Sequence, residues 1–411
     1  NLYKKALEIF EELSKKAPET YEPELAIIYT DLGNLYINLR RLDKAEKYYR
    51  KALEIYEKLF KREPVRYISD LAMINLNMGN LYVYLRKFKN AERHYGKALE
   101  IYKICSKEKP EVYGPYLAAV HRCLGSLYYE IEMFDRAERY LKKALEIYQK
   151  LVSKQPEVYE KDIADLHISL GNLYIHQKIF DKAERHLKIA LEIYNRLFKV
   201  SPEAYRRGLA GIHQNLGYLY MNLNKFSDAE RHYKVAMNIY EDLMKSVSRA
   251  YIGDLIGTLS GLVRLFIGTG EVQKAGSLIP RLIELTNKVD VFDQARIFGY
   301  STIGLWYDTK GDYDKALEFY ERLVSTLSRI WSGLSTRIDA QINAFLGAFW
   351  FVRLGEIAIK AIKNKSTEEK RSIIKRVLDI FENVKIMELI KELRAVESSS
   401  PLLRDLEEIN S

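Results

Sequence analysis

Histidine is the residue type whose spacing in this sequence could serve chemistry. Six of the seven histidines fall into two series spaced by 46 residues or a multiple of it: His121, His167 and His213, and His94, His186 and His232. Imidazole is a common zinc ligand. Packed helices lie about 8 to 10 Å apart, however, whereas zinc binds nitrogen at about 2 Å, so equivalent histidines of adjacent helix pairs cannot share one ion. We therefore expect packing histidines, with no metal and no other cofactor.

Sequence patterns that would support catalysis are missing. The chain has no GxxxxGK[ST], GxSxG, HExxH or CxxC, so it offers no phosphate loop, nucleophile elbow or paired metal motif. Its two cysteines, Cys105 and Cys123, cannot build a disulfide framework and fit a reducing compartment. The sequence predicts a protein that is not an enzyme and that is cytoplasmic.

Composition points to a soluble protein with a core. Of the 411 residues, 47% are apolar and 29% are charged, which is typical of globular chains. Arg353 and Glu356 interrupt the most apolar stretch, residues 342–359, and this disfavours a membrane span. High lysine, glutamate and isoleucine with few glutamines suggests a thermophilic source.

The element that must position these residues is a repeat of fixed length. LGNLY at residues 32–36 returns four times in near-copy, and its glycine recurs every 46 residues, at Gly33, Gly79, Gly125, Gly171 and Gly217. A proline keeps the same interval, at Pro18, Pro64, Pro110, Pro156 and Pro202. A period of this size predicts a solenoid of repeated structural units.

Each unit is predicted to contain two helices. In the first, an apolar stripe with helical spacing comprises Leu32, Leu35, Tyr36 and Leu39. In the second, a buried stripe comprises Ala45, Tyr49, Ala52, Tyr56 and Leu59. We expect Asp43 to cap the second helix in a capping box with Glu46, and Pro64 to end it.

The glycine and the tyrosine of LGNLY are interpreted as packing residues. Gly33 has no Cβ, so the backbone of the paired helix could approach closely there, which would offset the roughly 1 kcal/mol of helix propensity that glycine loses. Tyr36, one turn later, would fill the wider gap beside that contact.

These residues resemble a known repeat family. Gly33, Tyr36, Ala45, Tyr49 and Ala52 match in type and spacing the signature of tetratricopeptide repeats, in a variant with a 46-residue period, over residues 1 to about 330. The resemblance implies an all-α fold, a right-handed superhelical solenoid of antiparallel helix pairs. It also implies that the first helix of each pair lines a concave groove for a peptide or partner protein.

The repeat frame divides the chain into four parts. Residues 1–20 align with a second helix, so we expect a truncated first repeat and a chain that is a fragment. Residues 21–246 hold five regular repeats, and residues 247–335 hold two divergent ones. Residues 336–411 are predicted to form degenerate capping helices, 341–363 and 367–396, and a polar tail.

The groove is where function is expected. The variable residue of LGNLY should face the groove, and its amide could bind a peptide backbone, so Asn34, Asn80 and Asn172 are the first candidates for ligand contacts. An exposed polar residue without a partner is the alternative. The complete set of predicted groove residues is Asn34, Asn38, Asn80, Tyr84, Arg122, Tyr129, Asn172, His176, Gln214, Tyr218 and Asn222.

Charge favours a protein partner over nucleic acid. The groove positions are nearly neutral, and the basic residues lie on second helices, interleaved with glutamates. The sequence therefore predicts a non-enzymatic scaffold for a peptide or protein segment, with no membrane partner. Two alternatives stay open: a sensor arm of a larger signal-transducing ATPase or transcriptional regulator, and nucleic-acid binding through the basic outer face.

Overall fold

The fold is all-α. The computed structural model describes residues 2–152, 156–246, 250–290, 294–332, 353–354, 356–358, 360–363 and 365–383. Its helices are α1 Leu2–Lys16, α2 Pro18–Asn38, α3 Leu42–Arg62, α4 Pro64–Tyr84, α5 Phe88–Glu108, α6 Pro110–Glu130, α7 Phe134–Val152, α8 Pro156–His176, α9 Phe180–Val200, α10 Pro202–Asn222, α11 Phe226–Ser246, α12 Ile252–Gly268, α13 Val272–Lys288, α14 Gln294–Thr309, α15 Tyr313–Ser332 and α16 Thr367–Asn383.

The helices form antiparallel pairs that stack in sequence order, so the fold is a solenoid of helix pairs. The chain divides into two compact units, Asn1–Ile193 and Tyr194–Ser411. In the first unit the consecutive helices from α1 to α8 pack against one another, and α4 and α6 also contact the helix two positions on. In the second unit α10 to α15 pack in the same order. We call α2, α4, α6, α8, α10, α12 and α14 the first helices of their pairs.

Proline and a left-handed residue set the ends of the helices. Pro18, Pro64, Pro110, Pro156 and Pro202 each begin a first helix, where the missing N–H costs nothing. Each turn between the two helices of a regular pair contains a residue with φ between 54° and 58°: Arg40, Arg86, Glu132, Lys178 and Asn224. The predicted capping box is wrong. The cap of α3 is Arg41, which makes no side-chain cap bond, and Asp43 lies inside the first turn.

The core follows the predicted stripe of the second helix. In α3 the buried residues are Ala45, Tyr49, Ala52, Tyr56 and Leu59. The stripe of α2 is only partly buried, since Leu32 is 2% exposed but Leu35 and Leu39 are 37% and 55% exposed. The preceding helix α1 is 15 residues long, against 21 for α3, and covers less of α2 than α3 covers of α4.

The glycine of LGNLY makes room chiefly for a side chain of the second helix, whereas the sequence interpretation expected backbone. A Cβ on Gly33 or Gly79 would overlap the ring of Tyr49 or Tyr95 from the second helix of the same pair. At Gly125 the space is taken by Leu141, whose Cγ would lie 2.7 Å from such a Cβ. At Gly33 and Gly79 the glycine therefore admits a large side chain of the second helix, while at Gly125 the backbone N of Leu141 also lies within 3.3 Å of such a Cβ.

The tyrosine of LGNLY links consecutive pairs. The Tyr128 hydroxyl donates to Glu92 at 2.6 Å, and the Tyr174 hydroxyl donates to Glu138 at 2.7 Å. Tyr82 donates in the same way to Glu46 at 3.1 Å. Each glutamate lies on the second helix of the preceding pair, so this bond joins one repeat to the next.

The periodic histidines lie inside helix pairs. His167 Nδ1 is 2.8 Å from His186 Nδ1, and in the second unit His213 Nδ1 is 2.8 Å from His232 Nδ1. The 46-residue spacing relates histidines of different repeats and does not reveal these pairs within one repeat. Burial, followed by the neighbouring imidazole, lowers the pKa of His167 and of His213 to about 4. His167 and His213 are therefore neutral at pH 7 and pack within their helix pairs.

The end of the described chain contains further helical residues. Helix α16 agrees with the start of the predicted helix 367–396, while residues 384–411 lie outside the described residues. Most of the predicted helix 341–363 also lies outside them, although residues 356–358 and 360–362 are helical. Among the described helices, none is both long and apolar enough to cross a bilayer.

Candidate functional site: a cavity lined by asparagines

A cavity of about 550 Å³ opens between three first helices of the first unit. We call it the asparagine cavity. Helix α2 contributes Asn34, Ile37 and Asn38; α4 contributes Asn77, Asn80, Val83 and Tyr84; α6 contributes Arg122, Cys123, Ser126, Leu127 and Glu130; and Tyr49 and Tyr95 reach it from α3 and α5. Equivalent positions of successive repeats meet here because the first helices stack side by side.

Two tyrosines hold two of the asparagines in place. The Tyr49 hydroxyl donates to Asn34 Oδ1 at 2.6 Å, and the Tyr95 hydroxyl donates to Asn80 Oδ1 at 2.7 Å. Each ring passes over the glycine that precedes the asparagine, where there is no Cβ to block it. The same glycine that packs the helix pair therefore lets the second helix contribute to the cavity.

The tyrosines act as donors, which fixes the role of the asparagines. Burial raises the pKa of Tyr49 and of Tyr95 above the usual range, so both hydroxyls keep their proton at neutral pH. With Oδ1 accepting that proton, Nδ2 of Asn34 and Asn80 keeps two N–H donors for other partners. The cavity therefore presents fixed amide donors about one repeat apart.

Charge in the cavity is confined to two residues of α6. Arg122 and Glu130 are the charged side chains among the lining residues. They stand eight residues apart on one helix, a rise of about 12 Å. The cavity is thus close to neutral overall, as the sequence predicts for the groove, but it has a cationic end and an anionic end.

Apolar side chains complete the walls. Tyr84 is 59% exposed on the rim, and Ile37 and Val83 are half-buried. An extended chain in such a cavity can bury side chains on these residues while its backbone bonds to the asparagines. The arrangement suits binding more than chemistry, because the described lining contains no paired acid and base and no nucleophile next to a base.

Five of the predicted groove residues meet in the cavity. They are Asn34, Asn38, Asn80, Tyr84 and Arg122. The other predicted residues of the first unit, Tyr129, Asn172 and His176, do not line it. Tyr129 instead packs edge-on against His176, with ring centroids 5.1 Å apart. Asn172 is half-buried in α8, where Leu187 and not a tyrosine fills the space over Gly171.

The remaining predicted residues belong to the second unit. Tyr218 is 46% exposed on α10. Gln214 occupies the space over Gly257, since its Nε2 would lie 2.8 Å from a Cβ added there. Asn222 Nδ2 donates to the Tyr218 carbonyl at 2.8 Å, so this amide already serves its own helix end.

The predicted set lacks three polar lining residues that shape the cavity, Asn77, Tyr49 and Tyr95. Asn77 stands one position before the MGNLY motif, and Tyr49 and Tyr95 lie on second helices. The sequence does contain a signal for the two tyrosines. In the repeats of Asn34 and Asn80 a tyrosine stands 16 residues after the glycine, whereas in the repeat of Asn172 this position is Leu187. The signal is weak, because sequence alone does not show that a ring crosses the glycine.

The described structure is that of a repeat protein built from stacked antiparallel helix pairs. Three sequence profiles of the tetratricopeptide repeat match the chain, one at residues 70–150, one at 25–65 and 213–246, and one at 300–329. Over these residues the chain carries tetratricopeptide repeats. A comparison with curated protein sequences finds no match.

Solved structures share the fold at low sequence identity. The apo form of the quorum sensor NprR from B. thuringiensis is 15% identical, with a TM-score of 0.55, and the match covers 92% of this chain and 96% of that one. The apo form of RapI is 20% identical, with a TM-score of 0.52, covering 75% of this chain and 99% of that one. At these identities the similarity is one of fold.

Proposed function

We propose that this protein is a non-enzymatic scaffold that holds an extended segment of a partner protein or peptide in the asparagine cavity. The observation that carries the proposal is the pair of bonds from Tyr49 to Asn34 and from Tyr95 to Asn80, which fix the Oδ1 atoms of two asparagines in the lining of one cavity and leave their Nδ2 groups as donors. An extended peptide backbone has carbonyl groups that need such donors. In this proposal Asn38 and Asn77 add polar contacts, and Tyr84 and Val83 cover side chains of the segment.

The test is peptide binding by a cavity variant. Peptides would be selected from a random nonapeptide library on the wild-type protein, and the affinity of a labelled winner would be measured by fluorescence anisotropy. Each asparagine contact is worth about 1 kcal/mol. The double variant Asn34→Ala, Asn80→Ala should therefore bind the peptide roughly 10- to 30-fold more weakly.

The matched control removes two asparagines elsewhere. Asn195 and Asn238 are exposed on second helices outside the cavity lining, and the variant Asn195→Ala, Asn238→Ala should bind as the wild type does. Equal affinity of all three proteins, with unchanged helical circular dichroism, would exclude the cavity as the binding site.

The pairing of outer charges supports a protein partner over nucleic acid. On the second helices, cations pair with a glutamate one turn earlier: Arg50 with Glu46 at 2.6 Å, Lys142 with Glu138 at 2.6 Å, and Lys234 with Glu230 at 2.7 Å. Such pairs are typical of a solvated helix face. A nucleic acid would need a continuous track of unmatched cations, and its affinity would fall steeply with salt. Gel shifts at two salt concentrations test this alternative.

A sensor arm of a larger regulator is compatible with the same cavity. In that case the bound segment would be the signal, and a second domain encoded beside this region would be the output. Reading the open frame upstream of Asn1 tests it, since a phosphate-binding loop there would favour an ATPase.

A further inference from the structure

Two histidine pairs recur in consecutive repeats. His167 on α8 lies opposite His186 on α9, with Nδ1 atoms 2.8 Å apart and ring centroids 4.9 Å apart. His213 on α10 and His232 on α11 have the same geometry, at 2.8 Å and 5.0 Å. We call these the histidine pairs. A bound metal ion would need further ligands, and among the described residues no group of three or more His, Cys, Asp or Glu side chains could hold one.

The proton is the ligand that the two Nδ1 atoms of a histidine pair can share. A hydrogen bond between them requires one Nδ1 to donate and the other to accept. One protonated ring and one neutral ring still meet this requirement. Two protonated rings do not, because both Nδ1 atoms are then donors and the two rings repel each other as like charges. Each histidine pair therefore stays bonded only while one of its rings is neutral.

An earlier repeat has a bond at the same place that survives protonation. Asn75 on α4 and His94 on α5 stand two repeats before the first histidine pair. Asn75 Nδ2 donates to the Leu71 carbonyl at 2.8 Å, so its Oδ1 accepts from His94 Nδ1, also at 2.8 Å. His94 donates in this bond whether its ring is neutral or charged, since the added proton goes to Nε2. Acid therefore leaves this bond intact and removes the acceptor from a histidine pair.

The charges around the first histidine pair oppose a second proton. Burial, followed by Lys142 on α7 and Arg185 on α9, lowers the pKa of His186. Lys182 on α9 acts in the same direction, and Glu138 on α7 is the neighbouring carboxylate that acts against them. Glu138 already pairs with Lys142 at 2.6 Å. Its charge is therefore largely neutralised before a proton reaches the imidazole.

The second histidine pair has similar surroundings. Burial, followed by His232 and then Arg231 on α11, lowers the pKa of His213 to about 4. The Tyr220 ring of α10 packs on His232 with centroids 5.3 Å apart, as Tyr174 of α8 packs on the second-helix histidine of the first pair. Each pair is thus held between its own two helices, next to a neutral ring and a cation.

Opening of a histidine pair should be driven by acid. Once exposed to water, each imidazole takes up a proton near pH 6.5, whereas the closed pair binds fewer protons. The closed pair is therefore fully stable above about pH 6.5 and loses stability as pH falls towards about 4. Two histidines in contact titrate as a coupled pair, so this loss should be steeper than for a single buried histidine.

We propose that the two histidine pairs form an acid-sensitive switch, in which α8 separates from α9 and α10 from α11 near about pH 5, while the Asn75–His94 bond stays closed. This inference goes beyond the proposed function and does not depend on it, because the asparagine cavity is lined by residues from α2 to α6.

Hydrogen exchange of the full chain, read by mass spectrometry and corrected for the intrinsic pH dependence of exchange, tests the switch. Between about pH 7 and pH 5, the protection of peptides from α8 to α11 should fall by roughly 100-fold or more, because two histidines per pair take up protons on opening. Peptides from α4 and α5, which hold the Asn75–His94 bond, should lose far less protection.

The matched variant converts both histidine pairs to the arrangement of the second repeat. His167→Asn, His213→Asn leaves one histidine in each pair, so opening should take up about half as many protons and the fold-change should shrink to about its square root. His186→Asn, His232→Asn is the mirror variant, should the first not fold. The reciprocal change Asn75→His should make α4 and α5 acid-sensitive. Circular dichroism at neutral pH would show that each variant is folded.

The outcomes either support or overturn the switch. Protection of α8 to α11 in the wild type that does not change with pH would overturn it, whatever the variants do. An equally steep loss in the wild type and in a folded variant would show that the pairs are not the source. An equal loss of protection in all helices would show that acid unfolds the whole protein, with no switch in these two repeats.

Discussion

The hydroxyl of Tyr49 lies 2.6 Å from Oδ1 of Asn34, although the two residues belong to different helices of the pair. The ring reaches Asn34 by crossing Gly33, the residue beside it. Tyr95, Gly79 and Asn80 repeat the relationship one unit later. Glycine, tyrosine and asparagine therefore form one structural motif, in which the side chain that packs the helix pair also holds an asparagine of the cavity lining.

Adding a methyl group at the glycine should displace the tyrosine. In Gly79→Ala the new Cβ would overlap the Tyr95 ring. Overpacking of this kind costs roughly 1 to 3 kcal/mol, and it should exceed the gain of up to about 1 kcal/mol in helix propensity. Urea unfolding should show a net loss of stability.

Gly96→Ala is the matched control for that change. Gly96 lies in α5 with nothing within 4 Å of an added Cβ, so the same substitution should stabilise the protein by about 0.5 to 1 kcal/mol. A stabilised Gly79→Ala protein would show that the Tyr95 ring can move aside, and that the arrangement of glycine, tyrosine and asparagine is not rigid.

Removing a tyrosine hydroxyl should weaken the contact between repeats. Tyr128 donates to Glu92 at 2.6 Å, and burial, followed by this bond, raises the pKa of Tyr128 to about 12. Tyr128→Phe should lower the free energy of unfolding by about 1 to 2 kcal/mol. The check is a double-mutant cycle with Glu92→Gln, in which fully additive losses would mean that the two residues are not coupled.

Acid should destabilise the folded protein through its buried histidines. Burial lowers the pKa of His121 to about 4, below the usual value of about 6.5 in an unfolded chain. The unfolded state then binds the proton first, so stability is complete above pH 6.5 and is lost as pH falls towards 4. Between pH 7.5 and pH 5 this one group should cost about 2 kcal/mol.

The variant His121→Phe tests that account. It removes the titrating group and also the buried Nδ1 that has no partner among the described residues. Urea unfolding of the variant should depend less on pH than that of the wild type. An identical pH profile for His121→Phe would rule out His121 as a source of acid sensitivity.

The sequence predicts the helix pairs well because each unit packs against the next through the same residue types, which therefore recur every 46 residues. The buried stripe from Ala45 to Leu59 and the placement of Asn34 and Asn80 in a cavity both follow from helical spacing. Helical spacing does not predict the role of Glu46, because its partner Tyr82 lies 36 residues away in the next helix pair.

Other features depend on three-dimensional contacts that a single sequence does not reveal. Leu35 is exposed although Leu81, its equivalent one repeat later, is fully buried, because burial depends on the neighbouring helix. His167 and His186 belong to two different 46-residue series of histidines, and the sequence does not show that they contact each other. Tyr49 reaches the cavity only because its ring crosses Gly33.

The most direct test of the central claim is photo-crosslinking of a library-selected peptide to a defined position. Tyr84 lines the cavity and is 59% exposed, and Ile104 on α5 is 58% exposed outside it. We expect Tyr84→benzoylphenylalanine to crosslink the peptide and Ile104→benzoylphenylalanine to leave it free. Crosslinking at Ile104 with none at Tyr84 would contradict binding in the asparagine cavity.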